Sequence, residues 1–249
     1  MKVKDIYCYL DEICPFKTAL DFDNAGLLIG DMNSDVTRAI VTLDCTADTL
    51  RLAEKEKAEL IITHHPVIFE GIKKIEADGL LAGLIKGGIS VISAHTNLDI
   101  AAGGVNDCLC DTLGLLKVKE AIGENGYSFR FGILKKPLSP EEFAEFLKEK
   151  LKFSPRFVCG KNDIKKVAVC GGAGADCLND AINIGCDAFV TSEVKHHVFL
   201  EAYAKGMSLF DCGHFATEDV VIEPLSIRLK NKFEAVSFIT EHGSNIRSL

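Results

Sequence analysis

Residues 39–63, AIVTLDCTADTLRLAEKEKAELIIT, and residues 167–191, VAVCGGAGADCLNDAINIGCDAFVT, align without a gap at an offset of 128. Val41 falls on Val169, Asp48 on Asp176, Leu50 on Leu178, Ala53 on Ala181 and Thr63 on Thr191. Each window is a short apolar run, a polar or Gly turn, an amphipathic stretch and a second apolar run. That pattern spells strand–helix–strand, the unit of a parallel sheet. A unit used twice constrains the fold more than any composition does.

Both copies continue alike. The first reaches VISAHTNLD, with His95 and Asp99, and the second reaches SLFDCGHFATE, with His214 and Glu218. Each is an apolar strand ending in His-x-x-x-carboxylate. The expected architecture is α/β: two halves from an internal duplication, with mixed but mostly parallel sheets. The first half is placed at 1–122 and the second at 123–249, with EAIGENGYS (120–128) as a linker or turn between them. Exchange of segments between the halves is compatible with this reading.

Other elements carry their own signals. Val3, Ile6, Tyr7, Leu10 and Ile13 make one helical face, and Pro15 ends that helix. Ser139-Pro140-Glu141-Glu142 opens another, with Ser139 as N-cap, Pro at the first helical position and acids in the first turn. EAVSFITEHG reads as a last strand.

Seven histidines are unevenly placed. His64-His65 follow AELIIT, His95 follows ISVISA, His196-His197 follow DAFVTSEVK and His214 follows MSLFDC. His242 alone lies outside the pattern. Open α/β sheets bind ligands beyond the carboxyl ends of their strands, so six histidines are expected on that edge. Imidazole nitrogens and carboxylate oxygens suit Zn, Mn, Fe, Co and Ni. A pair of such ions takes about four to six protein ligands and a bridging carboxylate. His64, His65, Asp99, His214 and Glu218 supply that number, and a helix starting at either strand end would put positions i and i+4 on one face. His95 and His197 are the candidates for proton transfer, with His95 adjoining the ligands rather than joining them. His196 and His242 are read as ordinary surface histidines.

The remaining composition excludes several classes. At 249 residues with 47% apolar content the chain can bury a sizeable core. No apolar run reaches the roughly 20 residues of a membrane span. The opening MKVKDIYCYLDEICPF lacks a signal-peptide core, so a cytoplasmic protein with no membrane partner is expected. Ten cysteines include no CxxC pair, which removes the zinc-ribbon reading and leaves reduced core thiols.

HHPVIF at 64–69, SAHTNLD at 93–99 and GHFATE at 213–218 together resemble the GTP cyclohydrolase 1 type 2 homologues, also called interacting-factor-3-like dinuclear metal proteins. DFDNAGLLIGD at 21–31, VAVCGGAG at 167–174 and TSEVKHH at 191–197 add to the resemblance, which spans essentially the whole chain. It implies two intertwined α/β halves with a metal pair in the cleft between them, bound by His64, His65, Asp99, His214 and Glu218. Glu218 takes the bridging place. It further implies a ring-shaped homohexamer, a trimer of dimers. At its length the chain lacks the middle domain inserted in longer members.

Two functions follow as expectations. The first is a metal-dependent hydrolase of a nucleotide-like or phosphate-bearing small molecule, with GTP ring opening suggested by the family name. The Gly-rich turn GGAG (171–174) would then offer amides to a phosphate or simply turn the chain. Asp23-Asn24-Gly26 is likewise read as a turn, which the family motif places near the cleft. The second is a hexameric ring binding single- or double-stranded DNA or a protein partner, with structural metals. Lysine pairs at 73–74, 135–136 and 165–166 are its phosphate contacts, and a net charge of -8 per chain opposes it.

Overall fold

The computed structural model describes residues 1–124, 126–244 and 246. Among them the strands are β1 (Gly26–Ile29), β2 (Arg38–Thr42), β3 (Leu60–Thr63), β4 (Ser90–Ser93), β5 (Leu116–Ile122) and β6 (Ser128–Leu138). They continue with β7 (Arg156–Val158), β8 (Ile164–Val169), β9 (Ala188–Thr191), β10 (Ser208–Asp211) and β11 (Ser237–Glu241). The chain divides into two compact units, one of residues 1–104 with everything from Ile222 onward, the other Val105–Val221.

The first unit holds a sheet of order β1-β4-β3-β2-β11. β11, β2, β3 and β4 run parallel, with Ala39 opposite Leu60 and Leu60 opposite Ser90. β3 and β4 are buried along their whole length, as parallel strands covered on both faces must be. This is why LIIT reads as a continuous apolar run. Helix Ala47–Glu56 covers one face. It starts at Thr46, whose hydroxyl accepts from the Asp48 and Thr49 amides, and ends at Lys57 in the left-handed region. Its Ala53 and Leu50 pack with Ile40, Ile61 and Val91. Helix Leu80–Lys86 comes close enough that a β-carbon at Gly83 would stand 2.5 Å from Leu50. The N-terminal helix is Val3–Ile13, with Val3, Ile6 and Leu10 buried as the periodicity requires.

The second unit holds a sheet of order β5-β6-β8-β9-β10-β7. β8, β9 and β10 are parallel, while β5, β6 and β7 attach antiparallel. Helix Pro140–Leu151 begins at Ser139, the N-cap read from the sequence, and the structure adds a reciprocal Glu142 contact. Phe143 and Leu147 from this helix join Val167, Val190 and Phe210 in one core.

The architecture is mixed α/β, and both aligned windows form strand–helix–strand. The second sheet is more antiparallel than parallel, because β5 pairs antiparallel with β6 and β6 antiparallel with β8. Residues 120–122 end β5 and Ser128 begins β6, so both ends of that segment lie within the second unit. The two compact units meet in sequence at 104/105 and 221/222, and β11 pairs with β2, which returns Ser237–Glu241 to the first sheet. The described residues contain no helix long and apolar enough to cross a membrane.

Candidate metal centre

Parallel register brings the carboxyl ends of β2, β3 and β4 to one edge of the first sheet. His64 and His65 extend the ladder beyond β3, their amides donating to Thr42 and Leu43 carbonyls at 3.1 and 2.9 Å. Thr63 fastens this turn by donating its hydroxyl to the Leu43 and His65 carbonyls. His95 follows β4 and precedes the short helix Thr96–Ile100, which carries Asp99. Buried Asn97 fixes the helix by accepting from the His95 amide and donating to the Cys14 carbonyl.

The three imidazoles form one cluster, with ring centroids 5.0, 5.2 and 5.6 Å apart. A ring nitrogen of each lies within 4.8 Å of the others. Nδ1 of His64 is 2.9 Å from the Ala94 carbonyl, that of His65 2.7 Å from Asp44, and that of His95 2.8 Å from Asp23. Carbonyl and carboxylate oxygens only accept, so the proton sits on Nδ1 and the Nε2 lone pair is the one offered. His64 Nε2 lies 3.5 Å from Asp99 Oδ1.

Asp23 is the hub of this half. Its side chain is inaccessible to solvent. It accepts from His95, from the Thr96 amide and hydroxyl, and from the Asn24 amide. Burial pushes its carboxyl up, but the His95 and Thr96 hydrogen bonds outweigh burial and hold it at about 2.

The second unit repeats the logic with different parts. Gly213, at φ 77°, turns the chain from β10 into the helix His214–Glu218. This puts His214 Nε2 3.0 Å from Glu218 Oε2, the i,i+4 pair expected from spacing. His214 Nδ1 is 2.7 Å from Glu193. Glu193 has φ 54°, a left-handed backbone that a non-glycine residue adopts at a cost. Glu218 is buried, and Gly172 lies against it: a β-carbon there would stand 2.1 Å from Glu218 Oε1 and 3.3 Å from His214 Nε2. Glycine at 172 therefore keeps the carboxylate in place and leaves room beside it.

The Gly-rich turn is not a phosphate cradle. Its Gly171, Gly172 and Gly174 amides donate to Asn106, Thr217 and Thr191 side chains at 2.9, 3.1 and 3.0 Å. Those donors are spent inside the fold, and the turn serves the approach to Glu218.

Imidazole and carboxylate groups with Nε2 presented, together with the clearance at Gly172, fit a first-row divalent cation. Within the first unit the sequence-predicted His64, His65 and Asp99 come together with His95. Within the second, His214 meets Glu218. His197 is exposed in the first turn of helix His196–Lys205, and no hydrogen bond or ion pair joins it to His214 or Glu218. His242 lies 3.9 Å from Glu223. Asp44 and Glu193 escaped the sequence reading. Both follow strand ends on the edge that carries the histidines, and that position was the available signal. Of the lysine pairs, Lys74 meets Glu76, Lys165 donates to the Lys135 carbonyl, and Lys166 donates to the Ile184 carbonyl and lies over Phe131.

Residues 1–245 match the DUF34/NIF3 (NGG1p interacting factor 3) family. A Clostridium perfringens protein named GTP cyclohydrolase 1 type 2 homolog is 33% identical over 250 positions, covering 96% of this chain and 95% of that one. A Staphylococcus aureus hypothetical protein of known structure superposes with TM-score 0.93 at 29% identity, covering 100% of this chain and 99% of the other. Reduced HcgD from Methanocaldococcus jannaschii gives TM-score 0.83 at 28% identity, with 96% and 97% covered.

Proposed function

Because the chain belongs to the DUF34/NIF3 family, we propose that it binds two divalent metal ions through His64, His65, Asp99, His214 and Glu218, and hydrolyses a nucleotide-like substrate. The observation that carries this reading is the shared tautomer of four histidines. Each of His64, His65, His95 and His214 has Nδ1 against an oxygen acceptor, so that Nε2 is offered. Neutral imidazoles clustered with acids are what Zn, Mn, Fe, Co or Ni would require. The name GTP cyclohydrolase 1 type 2 homolog, borne by relatives, supports a nucleotide-like substrate.

When bound, a metal pair lowers the pKa of its water and stabilises charge on the displaced oxygens. The chain's own residues would do the rest. Asp23 holds the His95 ring with Nε2 as the atom that takes or gives a proton. Asp44 and Glu193 orient His65 and His214, and Glu218 would hold metal beside His214. Assembly as a homohexamer, a trimer of dimers, is proposed on resemblance, and sedimentation velocity tests it.

The functional test is turnover of GTP and related nucleotides by metal-loaded protein beside Glu218→Gln. The reading expects hydrolysis that is lost in the variant and on chelation. Equal turnover by both proteins would overturn it. Salt-dependent binding of DNA without turnover would instead favour a nucleic-acid-binding ring.

A further inference from the structure

Three consecutive residues, Phe22, Asp23 and Asn24, tie the first unit's histidine cluster to an exposed aromatic pair. Asp23 holds His95. Asn24 donates its side-chain amide to the Ile68 carbonyl at 2.6 Å and so pins the loop carrying Phe69. The Phe22 and Phe69 ring centroids are 6.3 Å apart at 62°. Phe69 in turn stands 6.2 Å from the His95 ring at 83°. The two phenylalanines are 54% and 49% exposed.

A single exposed phenylalanine needs no explanation. Two in ring contact, held in place by hydrogen bonds and abutting a site histidine, form a built apolar wall. Phenylalanine offers no hydrogen bond and no charge, so this wall cannot recognise a phosphate or a sugar hydroxyl. Its chemistry suits a flat π system, met by stacking or edge contact.

We propose that Phe22 and Phe69 form the wall on which a planar heterocyclic ring of the substrate packs, beside the His64–His65–His95 cluster. This rests on the hydrolase reading above and names the part of the substrate that the first unit holds. The ring is placed by contact rather than by hydrogen-bond readout, so purines of different substitution are accepted similarly.

The test is calorimetric titration of the full chain, metal-loaded and metal-free, with guanosine, adenosine and ring-free tripolyphosphate. Parent protein is compared with Phe69→Leu and Phe22→Leu, which keep apolar bulk and lose the ring. The proposal expects both nucleosides to bind the parent and to weaken roughly 5- to 150-fold in Phe69→Leu. Tripolyphosphate affinity, metal content and sedimentation should stay unchanged. Nucleoside affinity equal in parent and variants would overturn it, as would a parent that binds neither nucleoside. A changed oligomeric state in Phe69→Leu would also overturn it, making the pair a subunit contact. Tripolyphosphate binding with two ions and no nucleoside binding would sink the ring wall alone. Nucleoside binding that falls in the variants while the parent takes up no metal would sink the metal reading alone.

Discussion

The two units carry the same local device, an apolar strand followed by a His at or just before the start of a short helix and a carboxylate four residues on, yet they use it differently. In the second unit the two members of the motif face each other, His214 Nε2 on Glu218. In the first, Asp99 faces His64 and His95 turns to Asp23, 72 residues earlier. The anchors differ too. Asp23 is sealed from solvent and multiply hydrogen-bonded, whereas Glu193 is exposed and backbone-strained. One sequence pattern therefore fixes where the groups emerge. The packing around each copy decides which groups pair and how firmly.

That contrast is open to attack. Asp23→Ala should have the largest effect, because it strands hydrogen-bond donors from His95 and Thr96. We expect a loss of about 3 kcal/mol in urea unfolding, with the first unit affected. A change below about 0.5 kcal/mol would remove Asp23 as the hub. Gly172→Ala comes next. Its β-carbon would collide with Glu218 at a backbone φ of 61°, so stability should fall by about 2 kcal/mol and metal binding should be lost together.

Glu193→Gly sharpens the comparison further, since two effects should separate. Relief of the left-handed backbone should leave stability unchanged or raise it by up to about 1 kcal/mol. Loss of the His214 orienter should weaken metal affinity about 10- to 100-fold by chelator competition. Both quantities falling together would mean that Glu193 is merely structural.

The smallest effect concerns Glu59, remote from the histidines. Burial raises its carboxyl, but hydrogen bonds from the Arg38 and Thr37 amides and the Thr37 hydroxyl outweigh burial, and the net shift is downward. A depressed carboxylate stabilises fully above its unfolded value, 4.5, and that contribution is lost as pH falls through the folded value. Glu59→Gln should therefore cost stability at pH 6 and little at pH 3. An equal cost at both would refute the assignment.

Much of this was legible in the sequence. The apolar runs RAIVT, LIIT, AFVT and SLFD are strands because parallel strands are buried on both faces, and the histidines after them mark the edge where the sheets open. Ser139-Pro140 announced its helix through capping chemistry alone. The rest depended on distance in sequence. Asp44 and Glu193 each lie 21 residues from the histidine they orient, and no local periodicity encodes such a pair. EAIGENGYS (120–128) reads equally as a linker or a turn because both use the same residue types. The return of β11 to β2 is a pairing between strands nearly 200 residues apart, which no window on the chain can see.

The central claim is that this chain holds two metal ions. Elemental analysis of the purified protein beside the Asp99→Ala/Glu218→Ala double variant tests it most directly, with circular dichroism confirming that both are folded. The account predicts about two first-row ions per chain in the parent and close to none in the variant. A folded parent that holds no metal and takes up none of Zn, Mn, Fe, Co or Ni when offered would contradict it.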